Sequence, residues 1–475
     1  MSPDGTVSSL PDTTLDQLKS IVGENGFIDN ATDATAYLTD WRGQYRGTCA
    51  LVLRPNTTEQ VSNIVKICAE HKITVVPQGG NTGMNGGATP AVDSNAVLLC
   101  LGRMNKIRKL DTLNYTATVE AGCILQTIQD IADEEGRLFP LSLGAEGSCQ
   151  IGGNLATNAG GVSVLRYGNM RDLVLGLEVV LPSGEIWNGL RSLRKDNTGY
   201  DLKHLFIGSE GTLGIITAAT LKLFPKPKSY QTCFAAINGL DEVVELLARA
   251  RQVSGDRVSS FEMITRPPLD FALKHGPNLT EPLSEPSDIY GLIEIASSDP
   301  TDESLEQFLE RGFEDGLITD AIIAQSEGQR SALWKLREYL PEGEKEEGAS
   351  IKHDISVPVS SIPAFVRKAI PAVTDYMAKI RPVYFGHVGD GNLHFNFAKP
   401  TDMADDEFFT HKDAINHIVL DLVAEFEGSI SAEHGIGQLK RDSFLHYTPN
   451  LDINLMRQLK AALDPHGIMN PGKLL

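Results

Sequence analysis

Two histidines, His387 and His394, stand on either side of Gly389-Asp390-Gly391, and a Glu433-His434 pair follows some forty residues later. Apolar residues flank the glycines, which predicts a β-hairpin whose turn accepts positive φ. Folding back there sets His387 and His394 on neighbouring strands. Asn396 then shares the face of His394, because strand side chains alternate. Glu433 offers a third ligand and His434 an unligated base. Two imidazoles, one carboxylate and an open position form the ligand set of a catalytic divalent cation, not of a closed structural one. Zinc is the default from ligand type, with manganese, cobalt and iron open. Each histidine taken alone is more often a hydrogen-bonded structural residue.

The elements that must hold these residues follow from periodicity. Asp12 to about Arg46 reads as mostly helical, with Leu15, Leu18, Ile21 and Val22 at helical spacing. Thr57 to His71 reads as a helix capped by Thr57 or Thr58. Residues 73–77, 96–101 and 115–120 read as strands, and 124–135 as a helix. Residues 175–181 and 185–187 form a hairpin around Pro182-Ser-Gly184. Pro225 to Ser229 predicts a domain boundary, since its prolines stop a strand. Beyond it, strands at 232–237, 258–264, 290–295 and 321–324 alternate with helices at 241–253 and 302–312, an α+β, ferredoxin-like pattern. Helices at 363–380 and 406–427 bracket the histidine hairpin, and a last one covers 454–463.

Composition narrows the classes. A chain of 475 residues is long for one core, and 62 acidic against 42 basic residues give a formal net charge of −20. That balance opposes nucleic acid and anionic membranes over most of the surface. No apolar run reaches the roughly 18–20 residues that span a bilayer. Met1 to Leu10 lacks the pattern of a secretory or import signal, which points to cytoplasm, with an organelle matrix as the fallback if a presequence has been trimmed. Six cysteines without a C-x-x-C pair read as free thiols in a reducing compartment.

The 44 glycines cluster. Gln78 to Gly87, Leu143 to Gly161 and Gly208 to Ile216 are three glycine-rich loops, and such loops bring backbone N–H groups against phosphate oxygens. One alone is more often a tight turn. Gly208-x-x-Gly211-x-x-Gly214 is not the dinucleotide fingerprint and no Walker A pattern occurs, so a large diphosphate ligand on another fold is favoured.

Pro77 to Gly83, Gly144 to Asn154, Asn158 to Gly161, the histidine hairpin, Ser431 to Gly437 and Asn470-Pro-Gly-Lys473 together resemble the vanillyl-alcohol-oxidase/PCMH flavoprotein superfamily. Within it the chain is most similar to the FAD-linked D-2-hydroxyacid dehydrogenases, from about Thr48 onward. The resemblance implies a PCMH-type two-part FAD-binding domain over 1–226 and a substrate and metal domain with an antiparallel sheet flanked by helices over 227–430. A C-terminal segment, 431–475, returns to the flavin. It implies that Pro77, Gln78, Gly79, Gly80, Asn81, Thr82 and Gly83 hold the FAD diphosphate. Gly144, Gly147, Ser148, Gly152, Gly153, Asn154, Thr157 and Asn158 would wrap the rest, with Gly211, Gly214, Ile215, Ile216 and Asn470. The first loop has neither His nor Cys, so noncovalent FAD is expected.

The implied chemistry is oxidation of a D-2-hydroxy acid to the 2-oxo acid. His387, His394 and Glu433 would hold a metal that polarises the C2 oxygen. His434 would take the hydroxyl proton, an imidazole near about 6.5 being suited to neutral pH. Asn396 would bind substrate or orient a ligand. Arg337 and Lys352 fall where the resemblance implies substrate-carboxylate cations, although such residues are commonly solvated. Two cations suit D-2-hydroxyglutarate better than D-lactate. Pro341, four residues after Arg337, departs from a hydroxyl residue that hydroxyglutarate enzymes can carry. D-lactate dehydrogenase is the alternative, a flavin oxidase a more distant one, and a noncatalytic flavin-binding subunit the reading from another class. A soluble carrier, an oxo acid or a quinone through a partner would reoxidise the flavin, and a homodimer is the family's frequent state.

Overall fold

The helix Thr58–His71 begins where Thr57 accepts the backbone N–H of Gln60, and it buries Val61, Ile64, Val65 and Cys68. These pack on Leu51, Leu53, Val75, Val97 and Leu99. They belong to a sheet ordered Phe27–Ile28, Leu51–Leu53, Val97–Cys100, Val75–Gln78, the last three strands parallel. Residues 73–77 and 96–101 were legible because strands buried on both faces read as short continuous apolar runs, whereas Leu51–Leu53 was not read and Phe27–Ile28 fell in the stretch expected to be helical. Residues 468–470 run beside Val75: its N–H donates to the Ile468 carbonyl, and the Asn470 N–H donates back to the Val75 carbonyl, both at 2.8 Å.

The computed structural model describes residues 10–92 and 94–475, so Met1 to Ser9, read above for targeting signals, lies outside the described residues. The chain divides into two units. The first comprises Met1–Ala159, Asn169–Pro225 and Glu433–Leu475, and the second Gly160–Gly168 with Lys226–Ala432. The short segment 160–168, expected within the FAD domain, belongs to the second unit. There the Val162 carbonyl accepts the Ser260 hydroxyl at 2.7 Å, and Arg166 donates to the Ala296 carbonyl at 2.7 Å.

The first unit also carries an antiparallel sheet ordered Ile107–Asp111, Thr116–Glu120, Ile215–Lys222, Val174–Val180, Ile186–Gly189. The predicted helical stretch from Asp12 to Arg46 is broken. Asp12–Val22 stops at Gly23, whose φ is +70°, and Ala31–Leu38 starts afresh where Asn30 accepts the Asp33 N–H.

The second unit is one antiparallel sheet of eight strands. Its order is Ile318–Ile323, Ser229–Ile237, Ile289–Ser297, Val258–Thr265, Arg381–His387 and Asn392–Ala398, with Ser350–Ile351 and Asp354–Ser356 both pairing the last. One face packs Phe234, Ile264, Tyr290, Leu292 and Phe385 against Leu269, Leu333, Leu336 and Leu340 from helices Arg266–His275, Glu327–Glu338 and Leu340–Glu347. On the other face Phe365 of helix Ile362–Tyr376 meets Phe395 edge-on at 5.1 Å. The helix expected over 406–427 is two, Asp405–Thr410 and Lys412–Glu425, with His411 capping both. Among the described residues no helix is long and apolar enough to cross a membrane.

Candidate functional site

In the first unit the glycine-rich loops surround a cleft of about 1000 Å³. Of the residues expected to hold a cofactor, Pro77, Gln78, Gly79, Gly80, Asn81, Thr82 and Gly83 line it, as do Gly152, Gly153, Asn154, Thr157, Gly211, Gly214, Ile215 and Ile216. Two glycines are demanded by close approach. A Cβ on Gly80 would stand 2.3 Å from the Ser148 carbonyl oxygen. One on Gly211, at φ +72°, would stand 2.5 Å from the Pro77 ring.

Five expected residues do not line the cleft. Ser148 instead backs Gly80, and Asn158 accepts the Arg171 N–H at 2.9 Å. Asn470 donates to the carbonyls of Gly87 and Glu210 at 3.0 and 2.7 Å. Gly144 and Gly147 face open space, where a Cβ would meet nothing. Two buried acceptors at the cleft, Gln150 Oε1 and Asn154 Oδ1, have no hydrogen-bond partner among the described residues. They fit a ligand that brings hydroxyl or N–H donors, as the ribityl chain and flavin ring of FAD do.

His434 lines the same cleft. Its loop is gripped by two residues that the sequence reading passed over. Asn85 donates to the carbonyls of His434 and Gly435 at 3.2 and 2.6 Å, and the Glu210 carboxylate accepts the N–H groups of Ile436 and Gly437 at 2.7 and 2.8 Å. Burial pushes the Glu210 carboxyl up, opposed by those two N–H groups and by Lys473. Burial likewise pushes the Lys473 ammonium down to about 8, opposed by Glu210. One signal for Glu210 was available, as a lone acid inside an otherwise uncharged glycine loop.

In the second unit His387 and His394 lie on adjacent strands, their rings 5.7 Å apart between centroids and a nitrogen of each within 4.8 Å of the other. The turn between them contains Gly391 at φ +86°. His394 pairs across the ladder with Phe385 on one side and Asp354 on the other. Glu433 follows Ala432, whose N–H donates to the Asp354 carbonyl at 3.3 Å. The donor set of the two imidazoles fits a borderline cation such as zinc.

Arg337 is no solvated charge. It is buried, and its Nε donates to Glu262 Oε2 at 2.7 Å. Glu262 Oε1 stands 2.5 Å from His387 Nδ1. Burial alone would raise the Glu262 carboxyl, but His387 and Arg337 outweigh it and hold it near about 2. Lys352 is more exposed and lies 3.6 Å from Glu344, a carboxylate that is itself fully buried. Asn396 spends its side chain on Glu344, to which it donates at 2.8 Å, and on the His353 N–H, which it accepts at 3.0 Å. Glu262 and Glu344 were not anticipated, because a carboxylate inside a strand or a helix gives no sequence signal of what it faces.

The FAD binding domain family matches residues 49–189, and the family of FAD linked oxidases, C-terminal domain, matches 226–474. A mitochondrial D-2-hydroxyglutarate dehydrogenase of Danio rerio is 42% identical over 438 residues, covering 92% of this chain and 80% of that one. The D-2-hydroxyglutarate–pyruvate transhydrogenase of Saccharomyces cerevisiae is 36% identical over 474 residues, covering 97% and 94%. A solved structure of p-cresol methylhydroxylase superposes with a TM-score of 0.75 at 18% identity, over 98% of this chain and 96% of that one, and so shares the fold. The chain belongs to the FAD-linked oxidase family and is an FAD-dependent oxidoreductase acting on CH–OH donors.

Proposed function

We propose that this chain oxidises D-2-hydroxyglutarate to the corresponding 2-oxo acid. The observation that carries the substrate reading is the contrast between two arginines of one helix. Arg330 is saturated: its Nε and Nη2 donate to Glu294 at 2.7 and 3.1 Å, and its Nη1 donates to Glu327 at 2.8 Å. Arg337 spends only Nε, leaving Nη1 and Nη2 uncommitted among the described residues. Those two nitrogens form a fork suited to a carboxylate. Lys352 adds a point charge, so the pair suits a diacid. The names of the relatives support the same substrate.

Bound FAD supplies a two-electron acceptor for the C2 hydrogen, and a divalent cation, proposed as zinc on His387, His394 and Glu433, supplies a Lewis acid. Glu433 as the third ligand is supported by its bond to Ala432, which is tied to the ladder partner of His394. His434 accepts the C2 hydroxyl proton on its imidazole. Arg337 and Lys352 fix the carboxylates, and Asn396 holds the strand of His394 in register through Glu344 and His353.

For the acceptor, a soluble carrier or a 2-oxo acid is proposed, the latter supported by the yeast relative's name. The organelle matrix replaces cytoplasm as the compartment, supported by the mitochondrial relative. The test is anaerobic titration with D-2-hydroxyglutarate and D-lactate while the visible flavin band is followed. Bleaching by D-2-hydroxyglutarate, abolished by a chelator and restored by zinc, is expected. Faster bleaching by D-lactate would move the substrate to the monoacid, a reading favoured by Pro341, which offers no hydroxyl to a distal carboxylate.

A further inference from the structure

Strand Val258–Thr265 brings Glu262 into register with His387, and helix Glu327–Glu338 lays Arg337 across the same face. The Glu262 side chain is fully buried, so water cannot substitute for either partner. We propose that Glu262 is a positioning residue that couples recognition of the substrate's distal carboxylate to the geometry of the cation site, through Arg337 on one oxygen and His387 on the other. The inference rests on the function proposed above.

Each oxygen has one task. Oε1 receives His387 Nδ1, which commits that nitrogen as the N–H and leaves Nε2 as the ligand atom. Oε2 receives Arg337 Nε, which fixes the plane of the guanidinium and leaves the end-on fork of its two terminal nitrogens for a carboxylate. A second link runs through Phe385. The Arg337 guanidinium lies 4.9 Å from the centre of its ring, and the same ring is 5.0 Å from that of His394. The substrate-facing cation therefore leans on the supports of both imidazoles, without touching either. The neighbouring pair Arg330–Glu294 has no such arrangement, since its carboxylate is shared with Trp334, Thr232 and Ser259 and, among the described residues, meets no histidine.

Glutamine at 262 cannot do both tasks. An amide presents one acceptor and one donor, so in either orientation an N–H faces the N–H of His387 or of Arg337. Zinc affinity is measured on the full FAD-loaded chain by competition with a chromophoric chelator, for the parent, Glu262→Gln and Arg337→Gln. Glu262→Gln is expected to weaken zinc by roughly 10- to 100-fold with FAD content at the parent level. Arg337→Gln, although remote from the cation, is expected to weaken it by about threefold or more. Smaller changes in both variants overturn the coupling. If Glu262→Gln yields no flavin-loaded protein, Arg337→Gln decides alone by the same threshold. A parent that binds no zinc rejects the cation site and this inference together. A parent that binds zinc yet is reduced by no D-2-hydroxy acid rejects the substrate reading and leaves the coupling standing on its own result.

Discussion

The side-chain amide of Asn85 donates to the backbone carbonyl of His434 at 3.2 Å, joining residues 349 positions apart. The same amide donates to Gly435, while Glu210 takes the next two backbone N–H groups from the other side. The proposed base is therefore placed by its backbone. Asn85→Ala should lower kcat by about 10- to 100-fold, the cost of a misplacement of about 1 Å, with flavin retained. Stopped-flow reduction rates against flavin absorbance check it, and an unchanged rate would remove the positioning role.

His434→Gln keeps the cleft wall but not the base. The reduction rate should fall roughly 100- to 10,000-fold at neutral pH. The oxidised flavin spectrum should match the parent.

Arg330 and Arg337 should separate stability from binding. Arg330→Gln uncovers the buried Glu294 and should cost about 3 kcal/mol in urea unfolding, with KM within about twofold. Arg337→Met should raise KM for D-2-hydroxyglutarate by about tenfold or more and change D-lactate less, because the lost fork served a distal carboxylate. Equal KM effects on both acids would reassign Arg337 to the shared carboxylate.

Gly211→Ala tests the cofactor cleft. Its Cβ would meet the Pro77 ring at 2.5 Å from a backbone at φ +72°. Ring and loop must part, and the purified protein should be colourless or retain less than about half its FAD, read at the visible band.

Glu347 sets an acid limit for the second unit. Burial pushes its carboxyl up, but Lys274, His275 and Arg381 at 2.7, 3.0 and 2.7 Å hold it down at about 2, from an ordinary 4.5. A depressed carboxyl stabilises fully above its unfolded value and loses that contribution as pH falls through the folded one. Unfolding midpoints should thus drop between pH 4.5 and about 2. Glu347→Gln should flatten that limb and cost about 2 kcal/mol at neutral pH, read by urea unfolding across the range.

Periodicity exposed the elements that pack on one side, because burial imposes a repeat. Val61, Ile64 and Val65 announced their helix, and the run Val97–Cys100 its strand. The histidine hairpin was legible because glycines mark its turn. What escaped was polar and nonlocal. Glu262 sits in a strand buried at every position, where nothing distinguishes a carboxylate facing Arg337 from one at an edge. Asn85 lies in a glycine loop read for phosphate, while its side chain serves a segment at the far end of the chain. The split at His411 escaped as well, since both short helices share one apolar periodicity.

The hydrogen bonds that tie Ile468 and Asn470 to Val75 carry a consequence for synthesis. On a ribosome, residues 226–432 emerge as one nearly continuous stretch and can fold while the tail is still in the exit tunnel. The cofactor unit cannot: its sheet lacks a neighbour, and its cleft lacks His434 and Gly437, until residues 433–470 have emerged. Flavin retention is thus a late event in the life of each chain, and a nascent chain stopped before residue 433 would carry a folded substrate unit beside an unfinished cofactor cleft.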